Sequence, residues 1–168
     1  MSKNRLSWDE TRIQMARTIA QRSLCTRAKV GAIIVDVTAR IVGEGYNGPP
    51  RGYRHGSQPC SIWCGRTTSL SLSPNYDDCP SLHAEANALM MSDRSLRAGG
   101  TIYVTGHVCF GCAKLIANSG LLRVVVAADN AAAHRNPQAS YRFLQECGLI
   151  VDMQVDLLMA AGIAGKEE

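Results

Sequence analysis

Seven cysteines and one histidine–glutamate pair carry most of the reactive chemistry in this 168-residue chain. The cysteines stand at 25, 60, 64, 79, 109, 112 and 147, and two pairs are close, Cys60 with Cys64 and Cys109 with Cys112. In a reducing compartment such spacing points to metal ligation before disulfides. His83-Ala84-Glu85 opens one helical stretch and Cys109-Phe110-Gly111-Cys112 opens another. The exposed N–H groups and dipole of a helix start favour thiolates there. Two thiolates and an imidazole leave one position of a tetrahedral zinc to water, whose pKa falls to about 7. Glu85 is too near His83 in sequence to be a comfortable fellow ligand, but it is well placed to move that water's protons. A Cys-x-x-Cys alone also fits a thioredoxin-like redox pair, a reading that leaves His83 and Glu85 idle.

The elements that must position these residues follow from pattern and punctuation. Ser7 and Glu10 form a capping box, and Met15, Ala16, Ile19 and Ala20 lie on one stripe of a helix ending near Leu24. Residues 30–36 and 41–46 are apolar runs joined by a short polar link, a predicted antiparallel hairpin. Residues 47–81 lose periodicity and collect five of the six prolines with three cysteines, so the long loop must be clamped by something. Regular structure resumes with a helix at 83–91, a strand at 101–105, a helix at 109–119 closed by Gly120 and a strand at 123–128. A helix at 137–147, stopped by Gly148, and a strand at 149–155 complete the order α-β-β-α-β-α-β-α-β. The last dozen residues are a short helix or a frayed tail. The expectation is one α/β domain spanning residues 1–168, with a core at about 7–155 and helices layered on a sheet.

Composition narrows the function classes. A net charge of +4 is mildly basic and shows no clustered basic face. With two Trp, five Tyr and two Phe, the chain advertises no stacking platform for single strands, so nucleic acid is not the expected partner. Apolar runs are too short for a bilayer and the first residues lack a leader pattern, so a cytoplasmic location is expected.

His-x-Glu followed by Pro-Cys-x-x-Cys is the signature of the zinc-dependent nucleobase deaminases, in which the glutamate is acid and base rather than ligand. The chain matches it with one departure: Val108 stands in place of proline. Proline would prearrange the turn but supplies neither ligand nor proton. The resemblance then becomes specific. KVGAIIV at 29–35, GYNGPPRG at 45–52, CPSLHAEANAL at 79–89 and YVTGHVCFGCAKLIANSG at 103–120 resemble the deoxycytidylate deaminases of the cytidine deaminase superfamily. The Gly-Tyr-Asn-Gly box separates that branch from the nucleoside, tRNA and guanine deaminases.

The resemblance implies a cytidine deaminase-like three-layer fold, a five-stranded mixed sheet with helices on both faces. It implies conversion of dCMP and water to dUMP and ammonia for thymidylate synthesis, with zinc on His83, Cys109 and Cys112 and Glu85 as proton carrier. It also implies a homo-oligomer, a hexamer or dimer, and for many members activation by dCTP with Mg2+ and inhibition by dTTP. Asn47 takes the place of the asparagine that bonds the sugar 3′-hydroxyl, and Ala84 is small enough to let the ring lie against the helix start. Arg27 and Lys29 are candidates for the 5′-phosphate. Relatives with an extra zinc suggest a structural site on Cys25, Cys60, Cys64 and Cys79, with His55 as the rival for one position. Metal binding would then supply the free energy that orders the long loop. Cys147 is left as a small buried apolar residue. The competing functions are a deaminase of dCTP or 5-substituted dCMP, an RNA deaminase, and a non-catalytic zinc module that binds nucleotides.

Overall fold

Ser7 caps helix α1 (Trp8–Ala20): its hydroxyl accepts the Glu10 N–H at 3.1 Å, and the Glu10 carboxylate accepts the Ser7 N–H at 2.6 Å. The computed structural model describes residues 5–54, 57–63, 79–127 and 137–154. His55, Cys64, the tail and the last residues expected in the strands at 123–128 and 149–155 lie outside the described residues. Helix α1 stops four residues before the expected Leu24, because the Ser23 hydroxyl leaves the helical path to donate to the Asn47 carbonyl at 2.7 Å. Its buried stripe is Ile13, Ala16 and Ala20, with Ile19 packed beside it; Met15, expected on that stripe, is exposed.

Strands β1 (Gly31–Val35) and β2 (Ile41–Tyr46) form the antiparallel hairpin read from the sequence. Strand β3 (Thr101–Val104) pairs antiparallel with β1, and β4 (Arg123–Val126) and β5 (Ile150–Met153) continue the sheet in parallel. The sheet is therefore five-stranded and mixed, in the order β2-β1-β3-β4-β5.

Alternation along the strands sorts the core into two layers. Ile33, Val35, Tyr103 and Val125 face α1. Ala32, Ile34, Ile102, Val104, Val124 and Val126 face the other way, into a cluster built with helices α3 (Ala84–Met90), α5 (Phe110–Ala117) and α6 (Pro137–Glu146). Helices thus cover both faces. Two short helices were not expected: α2 (Cys60–Trp63), inside the proline-rich loop, and α4 (Arg94–Arg97). The latter starts where the Asp93 carboxylate accepts the Ser95 N–H at 2.7 Å. Cys147, expected to be buried, is exposed. It follows the last turn of α6, where Gly148 takes φ +85° and the chain turns over solvent toward β5. Among the described residues no helix is long and apolar enough to cross a membrane.

One glycine decides how close the motif helix can lie. A Cβ at Gly45 would collide with the Ala84 carbonyl oxygen and the Ala88 amide, so β2 and α3 touch backbone to backbone. That contact draws the start of α3 down onto the sheet. On the opposite face, Arg123 clamps α1 to the strands: its guanidinium donates to both Asp9 oxygens at 2.9 and 2.7 Å and to Asp152 at 2.7 Å. The Tyr103 hydroxyl adds a bond to Asp9 at 2.9 Å.

The Arg123 bond holds the Asp9 carboxyl below its ordinary value, outweighing the opposing effect of burial. A lowered native pKa stabilises the fold above the unfolded value, and that contribution fades as pH falls through the native one. Asp9→Asn is therefore expected to cost about 1–2 kcal/mol at pH 7, read from denaturant melts, with the gap to wild type closing below about pH 4. A gap that stays constant down to pH 2.5 would remove the charge from this account.

Candidate active site

The antiparallel pairing of β1 with both neighbours gathers three chain segments at one edge of the sheet. Gly31 lies opposite Tyr46 and Ala32 opposite Val104, so the end of β2, the start of β1 and the segment after β3 meet there. Thr105 ties that edge: its N–H donates to the Gly31 carbonyl at 3.0 Å and its hydroxyl accepts the Gly31 N–H at 3.0 Å. Helices α3 and α5 both begin at this edge, with His83 as the cap of the first and Cys109 as the cap of the second.

The cap residues and Cys112 converge. His83 Nδ1 lies 3.2 Å from Cys109 Sγ and 3.4 Å from Cys112 Sγ, and the three atoms all fall within 4.8 Å of one another. A tetrahedron with Zn–S of about 2.3 Å and Zn–N of about 2.0 Å has edges of about 3.5–3.8 Å, so the trio fits zinc with a small relaxation. Among the described residues this is the one group of three candidate ligands. Cys109 Sγ also accepts the Cys112 N–H at 3.4 Å, the capping bond that favours its thiolate.

Electrostatics agree with the donor set. The hydrogen bond from Cys112 holds the Cys109 thiol well below the usual range, with His83 adding to the effect. The same bond, then burial, then the Glu85 charge hold Cys112 up. The two sulfurs are thus pushed in opposite directions, since two thiolates beside a carboxylate would repel. A dication between them lets both sulfurs ionise. Glu85 is 3% exposed, in the first turn of α3 and within hydrogen-bonding reach of Cys112. A carboxylate buried beside a metal-type donor set and held at a helix start is equipped to carry protons.

The remaining residues singled out from sequence divide. Asn47 stands just past β2, and its amide is engaged: Oδ1 accepts the Val30 N–H at 2.8 Å and Nδ2 donates to the Ala28 carbonyl at 2.9 Å. It therefore pins the segment that carries Arg27 and Lys29, and these bonds use one of its two amide protons. Arg27 and Lys29 are exposed and line a cavity of about 380 Å³ together with Ser23, Cys25 and Thr26. Ala84 has no exposed surface and packs in the core against the sheet. Cys25 and Cys60 come together: they are hydrogen-bonded, and Cys60 Sγ also accepts the Thr26 N–H at 3.1 Å. Cys79 is half-buried just before α3, while Cys64 and His55 lie outside the described residues. Sequence reasoning missed Thr105, Gly45 and Asn87, whose Nδ2 donates to the Tyr46 carbonyl at 2.8 Å and locks α3 to β2. The spacing of Gly43 and Gly45, which puts both on one face of a strand, was the readable signal for the close helix.

Fold and site together define a zinc-dependent hydrolytic deaminase: a mixed sheet whose edge gathers His-x-Glu and Cys-x-x-Cys at two helix starts. Comparison with known proteins agrees. Residues 6–128 match the cytidine and deoxycytidylate deaminase zinc-binding region. The deoxycytidylate deaminase of Mycobacterium phage D29 is 43% identical over 129 residues, covering 73% of this chain and 95% of that protein. A probable deoxycytidylate deaminase of Drosophila melanogaster is 35% identical over 148 residues, 88% of this chain and 72% of that one. The crystal structure of the dCMP deaminase of cyanophage S-TIM5 with dCMP and dUMP superposes with a TM-score of 0.63 at 26% identity. That match covers 86% of this chain and 95% of the other. The chain belongs to the cytidine and deoxycytidylate deaminase family.

Atomic absorption on purified protein checks the donor set. His83→Ala and Cys112→Ser are each expected to remove about one zinc ion per chain. Unchanged zinc content in both variants would place the metal elsewhere.

Proposed function

We propose that this chain hydrolyses dCMP to dUMP and ammonia. The observation that carries the reading is the buried Glu85 at the point where His83, Cys109 and Cys112 converge. The substrate follows from relatives named deoxycytidylate deaminase, including one at 43% identity, and from a structural neighbour that holds dCMP and dUMP.

His83, Cys109 and Cys112 would hold zinc, which when bound acts as a Lewis acid that makes water nucleophilic near neutral pH. Glu85 takes a proton from the water that attacks C4 of cytosine and passes it to ring N3. Glu85 then takes the remaining proton from the new C4 hydroxyl and delivers it to the amine; the C4 carbonyl forms as the C4–N bond breaks, and the amine departs as ammonia with the bonding pair. One carboxylate serves both transfers because ring N3 and the exocyclic amine are both bonded to C4. Ala84 has no exposed surface, so its side chain fills the core at the start of α3 rather than touching the ring. Asn47 offers its second amide proton to the sugar 3′-hydroxyl while holding residues 28–30 in place. Arg27 and Lys29, on that pinned segment, receive the 5′-phosphate.

The same proposal takes the chain as one domain, working as a homo-oligomer, hexamer or dimer, in the cytoplasm. It includes activation by dCTP with Mg2+ and inhibition by dTTP, both resting on the family resemblance. A second, structural zinc is also part of it, with Cys25 and Cys60 as the pair already adjacent and Cys64, Cys79 or His55 completing the set. Cys60→Ser should then lower zinc from about two ions per chain to about one. One ion in wild type, unchanged in that variant, would refute the second site.

An ammonia-release assay across dCMP, deoxycytidine, CMP, dCTP and 5-methyl-dCMP, with and without dCTP and dTTP, tests the substrate. kcat/KM should be highest for dCMP, and Asn47→Ala should lower it by about tenfold or more. Equal kcat/KM for dCMP and deoxycytidine would move the chain to a nucleoside deaminase, and no release from any of them would make it a binding module.

A further inference from the structure

The family signature has proline directly before the first cysteine, and this chain has Val108. Proline locks its own φ near about −65° and confines the preceding residue to extended backbone, so it presets the turn that aims the cysteines. Valine imposes neither restraint. A distant element supplies another. Tyr141, on α6, is 7% exposed, and its hydroxyl lies 2.7 Å from His107 Nδ1. The Val108 N–H is directed at the same phenol oxygen, a donor that proline would not have. Val108 is fully buried in one cluster with Tyr141, Cys112 and Ala113. On the other side of Cys109, Phe110 packs on Phe143 of α6 with ring centroids 5.1 Å apart. Helix α6 therefore grips the turn immediately before and after the first cysteine. A phenol carries one proton and free lone pairs, so Tyr141 can serve Val108 as acceptor and His107 as donor at once.

We propose that Tyr141 is a positioning residue for the metal turn, replacing with two hydrogen bonds the backbone restraint that proline gives elsewhere in the signature. It acts through His107 and Val108 on Cys109, and it rests on the reading of His83, Cys109 and Cys112 as zinc ligands. Groups that orient metal ligands typically change metal affinity by about 10–100-fold.

Chelator competition on the full zinc-loaded chain reads the effect directly, independently of turnover. Tyr141→Phe keeps the ring and its packing but removes both bonds, and should weaken zinc binding by about tenfold with the melting midpoint of the zinc-free protein unchanged. Adding Val108→Pro should restore affinity to within about threefold of wild type, and the absorption bands of the cobalt-substituted protein should shift in the single variant and return in the double. A second cycle does not depend on proline being accommodated: His107→Ala combined with Tyr141→Phe should lose no more affinity than Tyr141→Phe alone. Wild-type affinity in Tyr141→Phe, additive losses in that cycle, or a folded double variant without rescue each overturns the clamp. A wild-type chain that binds no zinc overturns the ligand reading and the clamp with it; tight zinc in wild type with any of those three results overturns the clamp alone.

Discussion

Two thiols and a carboxylate held within a few ångströms repel one another once ionised, and the rest of this fold is arranged to keep them together beside an imidazole. The bond between the two cysteines holds the Cys109 thiol down and the Cys112 thiol up, with burial and the Glu85 charge adding to the second. Such a cluster is unstable as a set of free acids and stable around a dication. Zinc binding and the shape of the site are therefore one property. The protein's task is to present the donors at a fixed separation before the metal arrives.

It does so through the directions of its strands. Antiparallel pairing of β1 with β2 and β3 brings three loop ends to one edge, and the starts of α3 and α5 are delivered there. Backbone contact at Gly45 and the Asn87 bond to Tyr46 fix α3 on the sheet, while α6 fixes the first turn of α5. His83 and Cys109 can then sit as the caps of two helices, where the dipole favours thiolate and carboxylate. Asn47 extends this economy to the neighbouring segment, since one amide orders the stretch bearing Arg27 and Lys29.

The donor set and sheet were legible in the sequence because their signals are local. Cys-x-x-Cys, His-x-Glu, the Ser7 capping box and the apolar runs at 31–35 and 41–46 each lie within a few residues. What was not legible depended on partners far apart in the chain. Met15 looks like part of an apolar stripe, but which side of α1 meets the sheet is set by close contact with Gly31, where a Cβ would collide with the Ala16 carbonyl oxygen. Cys147 reads as a small apolar residue, but it follows a helix whose buried side is set by Tyr141 and Leu144 and so faces solvent. The commitment of both ends of the Asn47 amide to backbone nearly twenty residues earlier in sequence has no local signature at all.

The proposed function has this site hold its metal and move its protons with different residues, His83, Cys109 and Cys112 for the first and Glu85 for the second. Glu85→Gln preserves shape and removes the proton carrier, so zinc content and dCMP turnover measured on one preparation separate the two roles. Full zinc occupancy is expected, with a turnover lower by at least about a hundredfold, the scale of lost acid–base catalysis. A zinc-loaded variant that turns over dCMP within a few-fold of wild type would contradict it.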